Sequence, residues 1–371
     1  MKDSNLNIAI FTPSQNPYSE TFIQAHKNYL NGTVFYYYGT GSNIQLEGQK
    51  DILSNFNRKV LKLKTLLFRK SQKYYNKKRL HLSLINNRID VILVEYANHA
   101  RSLLPLIKET KIPMVIHFHG LDASKYQLVN KPNIYKEVFN YAKNVIVVSK
   151  VMEQMVLNLG CPKEKLIYNV YGPQPEFEKV TPTFSKKQFM AIGRFTDKKA
   201  PYYTILAFKE VLNDHPDAKL LIAGNGELFN MSKNLIRLYN LEESIKLLGI
   251  ITPEEYRNYL AESLAFVQHS IRAEDGDMEG TPLAILEASV AGLPVISTFH
   301  AGIPDVIIDG QTGLLCKEHD VSVMASNMLT LLNDNQLAKK IGKAGKKNVK
   351  ENFSLDRHIN SLQKIIEKVA N

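Results

Sequence analysis

Two glutamates spaced eight residues apart, Glu279 and Glu287, are the first residues that point to chemistry. They lie in "EGTPLAILEASVAG", where Thr281 can cap a helix, Pro282 suits its first turn and Gly292 ends it. At about 100° per residue, Glu287 falls on the most apolar arc of this helix. An ionised carboxylate buried without partners is costly, so we expect Glu287 to meet either a polar group or more solvent than its neighbours suggest.

Two cations accompany these glutamates in "GRFTDKK", where Arg194 and Lys199 follow a predicted strand. A planar guanidinium and a compact ammonium can share one diphosphate, although such pairs are also common surface features. The free amides that follow Thr281 can receive phosphate oxygens. Glu279 and Glu287 can accept hydrogen bonds from hydroxyls beside that anion site. Hydroxyls beside a diphosphate indicate a nucleotide sugar.

The elements that position these residues alternate between short β-branched runs and helical stretches. The runs are "NIAIF", "VILVEY", "MVIHFHG", "NVIVVS", "LIYNVY", "FMAIGRF", "KLLIAG", "IKLLG", "LAFVQHS" and "PVIST". This rhythm predicts an α/β protein with two doubly wound parallel sheets, whose ligands bind beyond the carboxyl ends of the strands. The proline-rich stretch 172–187 reads as the interdomain connection, with the boundary near residue 180.

The length of 371 residues also favours two domains. Cys161 and Cys316 lie in apolar settings far apart in the sequence, which favours a reducing compartment over a disulfide framework. The N-terminal apolar stretch is too short for a signal peptide, and no segment approaches the roughly 20 apolar residues of a membrane span. We therefore expect a cytoplasmic protein, peripheral on the inner face of the cell membrane if it binds lipid.

The formal charge of +11 is concentrated in residues 58–79, which hold ten basic residues and no acid. Leucines and aromatic residues are interleaved with the cations, so we expect the segment to contact an anionic membrane surface. A solvated helix that packs its apolar side on its own domain is the alternative. Nucleic acid fits the charge too, but no zinc-finger spacing or RNA-binding signature accompanies it. The candidates for membrane contact are Lys62, Lys64, Arg69 and Lys70.

With these motifs the sequence resembles glycosyltransferase family 4, the retaining enzymes of GT-B fold. The resemblance covers nearly the whole chain and is most specific in "EGTPLAILEASVAGLPVIST"; "GRFTDKKAP", "LLIAGNGEL", "KLLGIITPEE" and "HAGIPDVIIDGQTGLL" follow the same order. The runs "AEDGDMEG" and "HAGIPDVI" are most similar to members that build exopolysaccharides of the colanic-acid type.

The resemblance implies two Rossmann-like domains facing across a cleft. Residues 1–180 would bind the acceptor and residues 181–350 the nucleotide-sugar donor. Residues 351–371 form an amphipathic helix that can pack back on the N-terminal domain.

Carried over residue by residue, the resemblance assigns Arg194 and Lys199 to the donor diphosphate and Glu287 to the ribose. Glu279 would hold hydroxyls of the transferred sugar, and His119 in "HFHG" would lie near the anomeric centre. The segment Gly280, Thr281, Pro282 and Leu283 would meet the phosphates with its backbone N–H groups, of which Pro282 has none. The donor-binding set is completed by Gly193, Gly224 and Asn225. Read alone, "GNGEL" is a simple turn.

The loop after the first strand departs from the family pattern. Many relatives carry a glycine pair there, whereas this chain offers Ser19 and Glu20 in "PSQNPYSETFI". Ser19 and Glu20 are candidates for acceptor binding, and the acceptor itself is a glycan or lipid-linked glycan by family analogy.

Two patterns look like metal sites: His117, His119 and Asp122 in "HFHGLD", and Asp275 with Asp277 in "EDGD". We expect no metal at either, because nothing completes a tetrahedral set around the histidines and the aspartates read as a solvated loop. With two cations and a helix start at the diphosphate, no cofactor is required.

The predicted reaction is transfer of a sugar, with a UDP-sugar favoured as donor, to a hydroxyl acceptor with retained configuration. The resemblance implies front-face attack, in which the departing phosphate takes the acceptor proton. Two other hypotheses stay open. A nucleotide-sugar epimerase or hydrolase on the same fold would need only the donor, and a non-catalytic membrane- or polyanion-binding module would not need the intact set of cations and glutamates.

Overall fold

A computed structural model describes residues 6–15 and 20–371 of the chain. The chain divides into two compact units. The first comprises residues up to Val148, Met152–Asn169 and Ile359–Asn371, and the second comprises Ser149–Val151 and Val170–His358.

The first unit is built on a seven-stranded sheet with the order β3-β2-β1-β4-β5-β6-β7. All neighbours pair in parallel except β2 and β3, which are antiparallel. Its strands are β1 (Asn7–Thr12), β2 (Thr33–Tyr38), β3 (Gln45–Leu46), β4 (Val91–Glu95), β5 (Met114–His117), β6 (Asn144–Val147) and β7 (Leu166–Tyr168). The helices of this part of the chain are α1 (Thr21–Tyr29), α2 (Asn55–Leu67), α3 (Gln72–Asn86), α4 (Ala97–Ile107), α5 (Leu121–Ser124), α6 (Tyr126–Val129), α7 (Lys136–Tyr141) and α8 (Lys150–Asn158).

The second unit carries a six-stranded parallel sheet with the order β10-β9-β8-β11-β12-β13. Its strands are β8 (Gln188–Ile192), β9 (Lys219–Ala223), β10 (Ile245–Gly249), β11 (Ala265–Val267), β12 (Val295–Thr298) and β13 (Gly313–Cys316). The helices that follow in the chain are α9 (Pro201–Val211), α10 (Phe229–Leu238), α11 (Pro253–Glu262), α12 (Leu283–Ala291), α13 (Ile303–Val306), α14 (Val321–Asn333), α15 (Asn335–Asn352) and α16 (Leu355–Ala370).

The apolar runs of the sequence form the centres of both sheets. Each of the ten predicted runs contains a strand, and all five residues of β4 are buried, as expected for a parallel strand covered on both faces. The predicted α/β class with two Rossmann-like domains is confirmed. Among residues 6–15 and 20–371, no helix combines the length and the apolar character needed to cross a bilayer.

The proline-rich stretch 172–187 lies entirely in the second unit, which begins at Val170 rather than near residue 180. The ammonium of Lys346 on α15 donates to the carbonyls of Glu178 (2.7 Å) and Val180 (3.2 Å). These bonds attach the stretch to the second unit. The last helix, α16, enters the first unit at Ile359.

Candidate functional site

The second sheet has its topological switch point between β8 and β11, because the chain turns to β9 on one side of β8 and reaches β11 on the other. Ligands of doubly wound sheets bind beyond the carboxyl ends of the strands at such a point. The loop after β8 carries Arg194 and Lys199, and the loop after β11 carries Glu279. The fold of this unit therefore brings three predicted site residues to one edge of the sheet.

Lys199 and Glu279 form an ion pair across this edge. Their Nζ and Oε2 atoms are 3.2 Å apart, and only 16% and 9% of the two side chains are exposed. Burial lowers the pKa of Lys199, and the pull of Glu279 in the opposite direction does not fully compensate. Burial also acts to raise the pKa of Glu279, but the charges of Lys199 and Lys198 outweigh it and lower the value to about 2. Glu279 is therefore ionised, with its Oε1 buried and unbonded among the described residues.

The backbone of Glu279 is fixed by a histidine that sequence reasoning missed. The N–H of Glu279 donates to His300 Nε2 (3.1 Å), so this nitrogen carries no proton. His300 Nδ1–H in turn donates to Glu318 Oε1 (2.6 Å). The next residue is held as well, because Gly302 N–H donates to the Gly280 carbonyl (3.0 Å). The signal in the sequence was "FHAGIPD", a loop after β12 that brings a histidine to the same sheet edge.

The acidic loop before Glu279 is more ordered than the predicted solvated loop. Lys198, whose side chain is only 7% exposed, pairs with Asp277 at 3.0 Å and donates to the Met278 carbonyl at 3.2 Å. Asp275 is exposed and accepts a hydrogen bond from the N–H of Asp277 (3.0 Å). Lys198 was not predicted as a site residue, because the sequence "DKK" does not indicate which of its three charged side chains is buried.

The helix that carries Glu287 begins one residue later than the sequence suggested. Pro282 occupies the position before the first helical residue, Leu283, and no side chain caps this end, so Thr281 is not the cap. The first amides of the helix therefore have no partner within it, which leaves them suited to an anion. Gly292 ends the helix with φ +96°, as predicted.

Glu287 lies in the middle of this helix among buried neighbours. Its side chain keeps some solvent contact, yet desolvation raises its pKa to about 8. At neutral pH the carboxyl group of Glu287 is therefore protonated in most molecules of the ligand-free protein. This answers how the apolar arc tolerates a glutamate.

The glycines after β8 and β9 allow two backbones to approach closely. Gly224 has φ +123°, and a Cβ on it would lie 1.9 Å from the carbonyl oxygen of Gly193. The stem of Lys199 packs over Gly193, where an added Cβ would meet it at 3.4 Å. The backbone carbonyl of Asn225 accepts a hydrogen bond from the N–H of Phe195 (3.0 Å). A pocket lies here, lined in part by Gly193, Arg194, Lys199 and Gln268.

In the first unit, His119 is almost fully buried, with 2% of its side chain exposed. The ring lies between Phe22 and Tyr96, whose ring centroids are 4.7 and 4.6 Å away. Its Nε2 is 2.7 Å from Glu95 Oε2, and the other oxygen of Glu95 is 2.7 Å from His26 Nδ1. Sequence reasoning missed Glu95 and His26.

The carboxylate of Asp122 serves the backbone. It accepts the N–H groups of Ala97 (2.8 Å), His119 (3.0 Å) and Gly120 (3.2 Å), while burial raises its pKa. Of the first-loop candidates, Ser19 lies outside the described residues. Glu20 accepts the hydroxyl of Tyr96 (2.8 Å), and its Oε2 is buried with no bond within the described part of the chain.

The basic segment forms α2, the following turn and most of α3. Lys62, Lys64, Arg69 and Lys70 are all exposed. Leu61 is the one buried residue of α2, and large apolar side chains stand in solvent: Phe56 (75%), Leu63 (58%), Leu66 (76%), Leu67 (68%) and Phe68 (68%). Leu63, Leu66, Leu67 and Phe68 therefore do not pack on their own domain, whereas Leu61 does.

Comparison with known protein families gives two matches that follow each other along the chain. Residues 37–169 match the model of Glycosyltransferase Family 4, and residues 173–348 match that of Glycosyl transferases group 1.

Two curated proteins are similar in sequence. The amylovoran biosynthesis glycosyltransferase AmsK of Erwinia amylovora is 29% identical over 76% of this chain and 70% of its own length. The putative colanic acid biosynthesis glycosyltransferase WcaL of Escherichia coli (strain K12) is 28% identical over 66% of this chain. The match spans 62% of the WcaL sequence.

Among solved structures, HepE of Anabaena in complex with UDP and glucose superposes with a TM-score of 0.73. The superposition covers 98% of this chain and all of HepE at 14% sequence identity, so the likeness concerns the fold.

Proposed function

Since the chain is a glycosyltransferase of GT-B fold that carries a Family 4 domain followed by a group 1 domain, we propose that it transfers a sugar from a UDP-sugar to a hydroxyl acceptor with retained configuration. The acceptor is a glycan or lipid-linked glycan of a cell-surface polysaccharide. This choice follows the names of the two similar curated proteins, which refer to amylovoran and colanic acid biosynthesis.

One observation carries the proposal: the buried Lys199–Glu279 ion pair beside Arg194, at the switch point of the second sheet. The two cations suit the charged diphosphate of a nucleotide sugar. The carboxylate, ionised at neutral pH, suits the hydroxyls of the sugar. In this assignment the second unit binds the donor. Arg194 and Lys199 face the diphosphate, while Glu279 accepts hydrogen bonds from the sugar hydroxyls.

The start of α12 completes the donor site in this assignment. The first amides of the helix, at Leu283 and Ala284, lack acceptors within the helix and suit the phosphate oxygens. Glu287 accepts the ribose hydroxyls one to two turns further on. The first unit binds the acceptor and contributes His119, with Glu20 on the acceptor side.

In this proposal the charges stabilise the leaving group without a metal. As the sugar leaves, negative charge grows on the diphosphate, and preorganised cations and amides stabilise it more in the transition state than in the ground state. The leaving phosphate takes the acceptor proton. Asp277, the acid that most resembles a ligand of a divalent cation, is already paired with Lys198 at 3.0 Å.

Thermal-shift screening against a panel of nucleotide sugars tests donor binding. A donor at about 100 times its dissociation constant stabilises the fold by roughly 2.7 kcal/mol, and we expect UDP-sugars to do so. Arg194→Ala serves as the matched variant, because Arg194 is exposed and its loss leaves the fold intact. If no nucleotide sugar shifts the transition, the donor assignment fails. In Arg194→Ala we expect only a modestly smaller shift, because the other groups at the diphosphate still hold its charge.

The basic segment is the proposed contact with an anionic membrane surface. Five cations line one groove between α2 and α3, and Asp51 is the only acid in that lining. Asp51 is shared by Arg58 (3.2 Å) and Arg79 (3.1 Å). The groove is thus strongly positive, and the exposed Leu66 of α2 lines it together with the cations. Interleaved cations and apolar side chains suit lipid headgroups and the adjoining acyl chains.

Flotation with vesicles of anionic lipid tests this contact. Replacing Lys62, Lys64, Arg69 and Lys70 by glutamine is expected to abolish salt-sensitive binding, and Leu66→Ser with Phe68→Ser to weaken the binding that remains at high salt. The matched control removes the same number of exposed charges from α15: Lys339, Lys340, Lys343 and Lys347. Equal losses in the two charge variants would show non-specific adsorption and contradict the proposal.

A further inference from the structure

We propose that Glu95 is a positioning residue for His119, an inference that rests on the proposed role of His119 in sugar transfer. Glu95 is the last residue of β4, and its side chain is completely buried. In the part of the chain that the structure describes, its polar contacts go to imidazole nitrogens. These are His26 Nδ1 (2.7 Å), His119 Nε2 (2.7 Å) and His117 Nδ1 (3.6 Å).

The charge state of Glu95 decides the direction of its hydrogen bonds. Burial acts to raise the pKa of Glu95, but His26 and His119 outweigh burial and hold it well below 4.5. An ionised carboxylate has no proton to donate, so both short contacts run from nitrogen to oxygen. His119 therefore carries a proton on Nε2, and His26 carries one on Nδ1. One carboxylate thus selects the protonated nitrogen of two rings.

Packing holds the same ring in place. Phe22, Tyr96 and His117 surround it, with ring centroids 4.7, 4.6 and 4.4 Å from that of His119. The N–H of His119 donates to Asp122 (3.0 Å), which fixes the backbone as well. These contacts limit how the ring can tilt, and the short bond to Glu95 opposes a flip about its long axis. A ring whose protonated nitrogen and orientation are both fixed is what proton transfer or a hydrogen bond to a sugar requires.

The short distances favour a set of hydrogen bonds over a zinc site. Two ligand atoms bound to one tetrahedral zinc at 2.0–2.1 Å would lie roughly 3.3 Å apart. The distances from the Glu95 oxygens to His26 Nδ1 and His119 Nε2 are both 2.7 Å, which is clearly shorter. Distances this short are expected when a proton lies between each nitrogen and oxygen. The three candidate ligands of such a site, His26, Glu95 and His117, are all buried. Zinc is nonetheless the alternative that the experiment must separate.

Glu95→Gln is the decisive substitution. The amide keeps the size of the side chain but replaces one acceptor oxygen by an N–H₂ donor, so it cannot accept from both His26 and His119. One ring must then move its proton or turn. Glu95→Asp keeps two acceptor oxygens on a shorter stem and serves as the conservative rescue. Glu109→Gln on the surface of the same unit is the matched control, because half of the Glu109 side chain is exposed.

Long-range ¹H–¹⁵N NMR of the full-length protein labelled at histidine reads the protonated nitrogen without any substrate, with His119→Asn used to assign the signals. We expect Nε2–H at His119 in the wild type and in Glu109→Gln, and a changed pattern at His119 or His26 in Glu95→Gln. An Nδ1–H tautomer at His119 in the wild type would overturn the proposal. Stoichiometric Zn²⁺ binding in competition with a chelator, lost in Glu95→Gln, would overturn it too.

The kinetic readout uses the donor identified by the thermal-shift screen. We expect Glu95→Gln to lower kcat about 10- to 100-fold, because a ring that moves its proton or turns loses its hydrogen bond in the transition state, with the KM for the donor changed much less. Glu95→Asp is expected to recover part of kcat. An unchanged kcat together with the altered tautomer would contradict a positioning role. If no nucleotide sugar is turned over, the proposed function fails while the tautomer result still decides the hydrogen-bond assignment.

Discussion

Replacing Glu287 by glutamine is expected to stabilise the ligand-free protein at high pH. The pKa of Glu287 is about 8 in the folded chain against an ordinary value of 4.5. Between these values the folded state holds a proton that the unfolded state has released, so the wild type loses stability as pH rises through this window. The gap corresponds to at most about 5 kcal/mol at 1.36 kcal/mol per pH unit. Solvent contact at the side chain reduces that figure.

Urea unfolding at several pH values from about 5 to about 9 measures the effect. The two proteins should be nearly equal at the acidic end, and the variant should become progressively more stable towards pH 8. Glu262→Gln is the control on the neighbouring helix α11, where half of the glutamate side chain is exposed, and its curve should parallel the wild type. Parallel curves for wild type and Glu287→Gln would refute burial as the cause. With a donor bound through the ribose, the variant should lose affinity most above pH 8.

Other substitutions in the second unit have equally definite outcomes. Lys199→Met leaves Glu279 buried and without its ion-pair partner and should cost about 3–5 kcal/mol in urea unfolding, whereas Lys187→Met in an exposed pair should change the unfolding free energy much less. Arg194→Ala should lower turnover by about 10²- to 10³-fold with a much smaller change in donor affinity, as measured by kcat and donor Kd. Gly224→Ala places a Cβ 1.9 Å from a carbonyl oxygen at φ +123° and should lower the unfolding free energy by more than about 1 kcal/mol.

The sequence was informative wherever apolar periodicity or residue type is decided locally. Fully buried runs such as β4 are nearly continuous in β-branched and aliphatic residues, which is why both sheets could be predicted. The strands β2 and β13 were missed, as was the two-residue strand β3. The first is a half-exposed aromatic run, and the second is a four-residue strand at the sheet edge beginning with Gly313.

The sequence predicted most residues of the candidate site but not which of them contact each other. Lys199 and Glu279 were identified separately, because no local rule says that two loops 80 residues apart will form one ion pair. His300 and Lys198 were missed for the same reason, since their roles depend on which loops end at the same sheet edge. Glu95, by contrast, gave the same signal as Glu287: a carboxylate in an apolar run.

The predicted start of α12 was wrong by one residue because Pro282, which suits a first turn, takes the position before it instead. The interdomain stretch was misplaced for a different reason. Prolines indicate an irregular backbone but not what it packs on, and hydrogen bonds from Lys346 hold residues 178–180 to the second unit.

Acceptor-dependent release of UDP is the measurement that tests the central claim most directly. The wild type, a UDP-sugar that stabilises it and a lipid-linked glycan or simple hydroxyl acceptor are combined in the presence of a chelator of divalent cations. We predict that UDP appears only when the acceptor is present, that the anomeric configuration is retained in the product, and that Arg194→Ala removes the signal. Equal UDP release without acceptor would identify a hydrolase, and release that stops with the chelator would contradict the metal-free account.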